Sequence, residues 1–198
     1  MCHLPYESDA RRAGYSVIAG IDEAGRGPLA GPVIAAAVIL PENVGLEGIR
    51  DSKQMTPRAR EVAFSLIEER AISVSMAVVS PREIDQINIL QATRKAMKQA
   101  VLHLDPQPDF LLIDGIDHIE LPIQQRCIVK GDKQCLSIAA ASVLAKVYRD
   151  SMMCSYHDLY PQFGFSSNKG YGTRAHLAAI TRFGPCSIHR FTFRGVAS

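Results

Sequence analysis

Three acidic stretches of this 198-residue sequence stand where apolar runs give out, and they are its best candidates for chemistry. In Gly20-Ile21-Asp22-Glu23-Ala24-Gly25-Arg26-Gly27, two carboxylates lead into a Gly-rich turn. Successive side chains on a strand point to opposite faces, so Asp22 and Glu23 converge on one site only if the strand ends there. Glycine permits such an ending. An Asp-Glu pair suits a hard divalent cation, which takes oxygen ligands. Phe110-Leu111-Leu112-Ile113-Asp114-Gly115 repeats the arrangement, and Val129-Lys130-Gly131-Asp132 places a third acid just after an apolar run. Functional groups of open α/β sheets gather at strand ends. Asp22, Glu23, Asp114 and Asp132 therefore form one candidate carboxylate cluster. Asp150 competes with Asp132 but ranks lower, because it lies far along a helix.

Other groups suit a phosphorylated partner. Asp51-Ser52-Lys53 precedes a capped helix, where a hydroxyl and an ammonium fit a phosphate. In Asn168-Lys169-Gly170-Tyr171-Gly172-Thr173 an aromatic stands between glycines, flanked by Lys169 and Arg174. Such a ring can stack on a nucleotide while the cations hold its backbone. Ser142, Lys146 and Arg149 are spaced by four and three and share a helix face. That face is open to phosphate contact, to ion pairing with the acids, or to a structural role.

Several chemistries are excluded. Gly25-Arg26-Gly27-Pro28-Leu29-Ala30 matches G-x-G-x-x-A, but a dinucleotide fingerprint must open a helix. Here a β-branched run follows, and Asp22 and Glu23 would repel a pyrophosphate. No G-x-x-x-x-G-K-[ST], H-E-x-x-H or G-x-S-x-G occurs, and the histidines are scattered. A P-loop enzyme, a zinc hydrolase and a serine esterase have no support. A catalytically silent nucleic-acid-binding domain would need the basic segment but not four acids at strand ends, and a nucleotide-cofactor oxidoreductase would need G-x-G-x-x-A to open a helix.

The charge distribution agrees with an anionic partner. The net charge is +2, yet residues 151–198 hold five basic residues and one acid, while residues 1–150 hold 17 basic and 19 acidic residues. The basic C-terminal quarter is the expected substrate-binding segment. A hydrophobic fraction of 47% excludes disorder. The longest apolar run, 33–40, is too short to span a bilayer. Cys2, Cys127, Cys135, Cys154 and Cys186 form no C-x-x-C pair, so free thiols in a cytoplasmic protein are expected.

The elements that must position these groups read as an α/β pattern. Strands are expected at 16–22 and 32–40, joined as a hairpin, and at 72–79, 109–114 and 123–129. Thr56-Pro57 caps a helix to about Arg70. Ser80-Pro81-Arg82-Glu83 is a capping box opening a short helix, and Asn88 caps the next, to about Leu104. A long Ala-rich helix runs from 137 to about 156, and Thr173 caps a last one ending near Gly184. Residues 1–15 read as a loose polar arm, and 16–198 as one domain.

Taken together, these residues resemble bacterial ribonuclease HII, of the RNase H-like superfamily. The resemblance runs from about Val17 to Phe193. It rests on five motifs in the family's order: Asp22-Glu23 with Gly25-Arg26-Gly27, Asp51-Ser52-Lys53, Asp114-Gly115, Lys130-Gly131-Asp132 with its Ala-Ala-Ser helix, and Lys169-Gly170-Tyr171-Gly172-Thr173. It implies an RNase H-like fold, a five-stranded mixed sheet flanked by helices with a small C-terminal helical extension. It implies an endonuclease acting on RNA–DNA hybrids and on single ribonucleotides in duplex DNA, with two Mg²⁺ or Mn²⁺ ions and 5′-phosphate and 3′-hydroxyl products; the sequence itself suggests a monomer. The family's catalytic, metal-holding carboxylates fall on Asp22, Glu23, Asp114 and Asp132. Its 2′-hydroxyl-reading loop falls on Gly25, Arg26 and Gly27, its phosphate-contacting segment on Ser52 and Lys53, and its stacking tyrosine on Tyr171, with Lys169 beside it. Two positions depart from the pattern. Asn168 stands where the family commonly has His, and His189-Arg190-Phe191-Thr192-Phe193 has Thr192 where Ser is usual.

Overall fold

The computed structural model describes residues 5–42, 44–46, 49, 52 and 55–196. Five strands form one mixed sheet: β1 (Ile18–Ala24), β2 (Val33–Ile39), β3 (Ser73–Val79), β4 (Phe110–Asp114) and β5 (Gln124–Ile128). Their spatial order is β3-β2-β1-β4-β5. β1 and β2 form the expected antiparallel hairpin, β3 continues it antiparallel, and β4 and β5 run parallel to β1. β1 extends to Ala24, two residues beyond the expected end. Asp22 and Glu23 therefore lie inside the β1–β2 ladder, opposite Ala36 and Ala35.

Helices cover both faces. Among the described residues the α-helices are α1 (Pro5–Arg12), α2 (Pro57–Arg70), α3 (Pro81–Leu102), α4 (Leu136–Leu159), α5 (Phe165–Asn168) and α6 (Arg174–Phe183). Alternation along the strands sends Ala19, Ile21, Ala35 and Ala37 to one core with Ala92, Ala96, Met97 and Ala100 of α3. Ala36 and Val38 go to the other with Ala63 and Ile67 of α2 and residues 139–141 and 143–145 of α4. The alanines of α4 let it lie close on β1. Gly20 shows how close: a Cβ there would stand 2.2 Å from the Ser137 carbonyl carbon. Any side chain at that position would lever the helix off the sheet.

Caps end the helices where expected. Thr56, Ser80 and Thr173 accept from the backbone N–H of Ala59, Glu83 and His176. At Asn88 the helical run breaks, with φ 65° and ψ 165°, and the Asn88 side chain accepts from Leu90 and Gln91. Its two parts are the two helices expected from the sequence.

The N-terminal segment corrects an expectation. Residues 5–12 are helical rather than a loose arm, and Glu7 and Ala10 are buried. Glu7 Oε1 accepts from the Ser137 N–H and hydroxyl, both at 2.9 Å, and from the Cys135 thiol at 3.0 Å. A carboxylate at the start of α4 satisfies a free amide and opposes the positive end of the helix dipole.

Candidate active site

Asp22 and Asp114 come together because β1 and β4 are parallel and in register. Ile21 is paired with Ile113, so the next residue of each strand is an acid. β4 ends at Asp114, which leaves that edge of β1 open beyond Asp22. A cleft of about 280 Å³ opens there, lined by Asp22, Glu23, Gly25, Arg26, Gly27, Ser52, Ser142, Lys146, Arg149 and Tyr171. The open edge explains how adjacent acids reach one cleft although the strand does not stop between them.

Asp22 is buried at 4% exposure. Burial raises its pKa well above the usual carboxylate range, and the charges of Glu23 and Asp114 add to this. Hydrogen bonds from Ser142 and from the Glu23 N–H, the latter at 2.7 Å, oppose the rise. Glu23 also faces Arg26 at 3.5 Å. Asp114 and Asp132 lie outside the cleft lining. Asp114 Oδ1 accepts from the Gly131 N–H at 2.7 Å, which ties the end of β4 to the turn carrying buried Asp132.

The donor set suits a hard cation. It is made of oxygens, and its like charges gather around a buried carboxylate, the situation that a bound divalent ion relieves. Among the described residues, no three His, Cys, Asp or Glu side chains form a ready-made metal cage. Mg²⁺ does not need one, because it keeps several waters and takes one or two carboxylates.

The cleft's opposite rim is built by two buried arginines. Arg190 is fully buried and donates to four carbonyls: Gly25 (2.5 Å), Arg26 (3.0 Å), Pro28 (2.8 Å) and Gly31 (3.0 Å). Arg149 donates to Pro32, Ala30 and Lys169 at 3.0–3.1 Å. Burial lowers the pKa of both, Arg190 to about 9, where the nearby Arg149 charge contributes. Both remain cations at neutral pH. The glycine at position 25 is required, since its φ is +100° and a Cβ would meet Arg149 Nε at 2.2 Å.

Backbone pairing completes this unit. Leu29 N–H donates to Gly170, Gly31 N–H to Ile188, and Arg190 N–H to Leu29. The loop 25–32, the Tyr171 loop and the C-terminal segment 188–190 thus hold one another.

The remaining sequence-derived candidates separate. Ser52 is buried and its hydroxyl lies 2.9 Å from that of Ser142, beside Asp22. Asp51 and Lys53 fall outside the described residues. Lys146 lines the cleft and pairs with Asp150 at 2.8 Å. Tyr171 is 48% exposed at the rim, within reach of Gly27. Lys169 does not line the cleft, and its ammonium lies 3.0 Å from the Cys154 sulfur. Asn168 bonds within its own loop, to the Phe163 carbonyl at 2.6 Å and from the Gly170 N–H at 2.8 Å. Its role is to shape the turn before Tyr171. The hydroxyl of Thr192 is kept in use, donating to Asp85 at 2.6 Å.

Arg190 as an organiser of the rim was not legible from residue type. Its signal was its place in the His189-Arg190 pair, but carbonyls 159–165 residues away are invisible to local patterning.

The mixed sheet β3-β2-β1-β4-β5, with Asp114 closing β4 beside Asp22 of β1, is an RNase H-like fold. The family model described as Ribonuclease HII matches residues 19–196. The chain belongs to the ribonuclease HII family. The ribonuclease HII of Geobacter sulfurreducens is 56% identical over 191 residues, covering 96% of this chain and 88% of that one. That of Acetivibrio thermocellus is 53% identical over 188 residues, covering 95% and 73%. The crystal structure of the ribonuclease H2 from Pyrococcus horikoshii OT3 superposes with a TM-score of 0.78 at 27% identity, covering 91% and 95% of the two chains.

Proposed function

We propose that this protein is a divalent-metal-dependent endoribonuclease. It cleaves the RNA strand of RNA–DNA hybrids and incises duplex DNA at single ribonucleotides, leaving 5′-phosphate and 3′-hydroxyl ends. The observation that carries the reading is the register of β1 and β4, which sets Asp22 beside Asp114 at the edge of the cleft. Asp22, Glu23, Asp114 and Asp132 would hold two Mg²⁺ or Mn²⁺ ions. Those ions would supply an activated water and stabilise the leaving oxygen.

The protein's own groups do the rest. Gly25, Arg26 and Gly27 face the sugar, whose 2′-hydroxyl distinguishes RNA from DNA. Tyr171 stacks at the RNA–DNA junction, and Ser52, Lys53 and Lys169 hold flanking phosphates. Use of the 2′-hydroxyl as the nucleophile would need a histidine acid–base pair, and no histidine lines the cleft among the described residues. The reaction takes place in the cytoplasm, on a monomer.

The test is incubation with Mn²⁺ and duplex DNA containing one ribonucleotide. Incision on the 5′ side of the ribonucleotide, lost on chelation, is expected. Tight binding with no cutting would favour a silent binding module instead.

A further inference from the structure

Two buried histidines outside the cleft form a chain of hydrogen bonds that ends on the Tyr171 backbone. His176 is fully buried in α6, and His189 is 1% exposed in the C-terminal segment. Their Nε2 atoms lie 3.0 Å apart. His176 Nδ1 lies 2.9 Å from the Tyr171 carbonyl oxygen. The Cys186 N–H points at His189 Nδ1 from 2.9 Å.

With both rings neutral, these contacts fix every proton. A carbonyl only accepts, so His176 Nδ1 carries a hydrogen and donates to Tyr171. Neutral His176 then has a bare Nε2, which accepts from His189 Nε2–H. That leaves His189 Nδ1 bare, and it accepts the Cys186 N–H. The Cys186 carbonyl is farther from that nitrogen, at 3.3 Å, and the thiol sulfur stands at 3.2 Å. The three bonds run in one direction, from Cys186 through His189 and His176 to Tyr171, with both rings neutral.

The surroundings keep them so. The His176 ring is packed edge-on against Phe163 and Phe165, at centroid distances of 6.2 and 5.4 Å, and Phe163 meets His189 at 4.8 Å. Burial lowers the pKa of both histidines, His189 to about 4 with the facing His176 contributing. A proton added to either ring would set two donors against each other.

We propose that His176 and His189 are positioning residues for Tyr171, acting as a neutral relay that fixes the rim tyrosine's backbone for engagement of the ribonucleotide junction. This rests on the role given to Tyr171 above. Neither histidine reaches the cleft, so neither touches substrate. The Tyr171 carbonyl has its position dictated from behind, leaving its exposed ring free for a partner.

The test reads binding rather than cleavage, so it stands apart from the nuclease assay. Fluorescence anisotropy in EDTA gives the affinity of each variant for a duplex with one ribonucleotide. His176→Leu keeps the bulk and removes the bond to Tyr171, and should weaken binding about tenfold, the scale of one buried hydrogen bond. His176→Asn offers an amide N–H near the Nδ1 position and should bind within about threefold of the unaltered protein on the same scale. In a Tyr171→Ala background, His176→Leu should cause no further loss, because the two act as one unit. Independent, multiplying losses would overturn the proposal.

A second measurement needs no variant. Two-bond ¹H–¹⁵N correlation spectra at pH 7 should show His176 with its hydrogen on Nδ1 and His189 with its hydrogen on Nε2. The opposite tautomers, or a charged ring, would overturn the relay. Failure of the unaltered protein to bind the duplex would count against the functional reading, and the tautomers would still decide the relay.

Discussion

The guanidinium of Arg190 and the carbonyl of Gly25 meet at 2.5 Å across 165 residues of chain. Arg190 makes three further bonds to the same loop, at Arg26, Pro28 and Gly31. A planar fork with five donors can serve four carbonyls, whereas an ammonium has three donors on one atom. Arg190→Lys should therefore cost about 2–4 kcal/mol, since buried carbonyls lose their donors. Urea unfolding measures it. The same variant should lose preference for a ribonucleotide over an all-DNA duplex, because the loop proposed to read the sugar is released.

Ionised Asp22, a proposed metal ligand, works against the fold. Burial and the charges of Glu23 and Asp114 raise its pKa above 3.8. The sign follows from linkage: its contribution to stability is complete below pH 3.8 and lost as pH rises through the higher folded-state value. At pH 7, Asp22→Asn should therefore raise the thermal midpoint of the metal-free protein. It should also remove the rise in midpoint that Mn²⁺ gives the unaltered protein. A lower midpoint for Asp22→Asn without metal would contradict the electrostatic account.

His189 has the opposite sign. Its pKa falls from 6.5 to about 4 on folding, chiefly through burial. The unfolded chain binds a proton below pH 6.5 and the folded chain does not until about pH 4, so stability drops across that window as pH falls. Unfolding measured at pH 7 and pH 5 should show the loss. His189→Gln, which cannot titrate, should show a smaller one over the same interval.

Glu7→Ala should cost about 1–2 kcal/mol, the worth of a good N-cap, by freeing the start of α4. Chemical denaturation checks it, and an unchanged midpoint would mean that α1 contributes nothing there. The cap spans about 130 residues, and this is why residues 1–15 read as a loose arm. A short polar helix has no apolar run to announce it. Its contacts are delivered from afar, the Glu7 carboxylate on α4 and Ala10 buried with Ile18 and Phe110.

Local signals carried the rest of the fold. Strand alternation, the Thr56, Ser80 and Thr173 caps and the alanines of α4 are properties of adjacent residues, and each appears where the pattern put it. The acids were legible because they follow apolar strands. Their grouping followed from strand ends, but the parallel register that puts Ile21 opposite Ile113 did not, because strand order is not a property of adjacent residues. The arginine clamps and the histidine pair were hidden for the same reason. Their partners are backbone atoms and a second histidine supplied by the fold.

The most direct test compares the unaltered protein with Asp114→Asn in single-turnover incision of a duplex bearing one ribonucleotide, at saturating Mg²⁺. Loss of one metal-holding carboxylate should remove several kcal/mol of transition-state stabilisation, slowing the cut on the order of a thousandfold. Affinity for the duplex and the far-ultraviolet spectrum should stay close to those of the unaltered protein. Incision by Asp114→Asn at a rate near that of the unaltered protein would contradict the assignment of these carboxylates as the catalytic metal site.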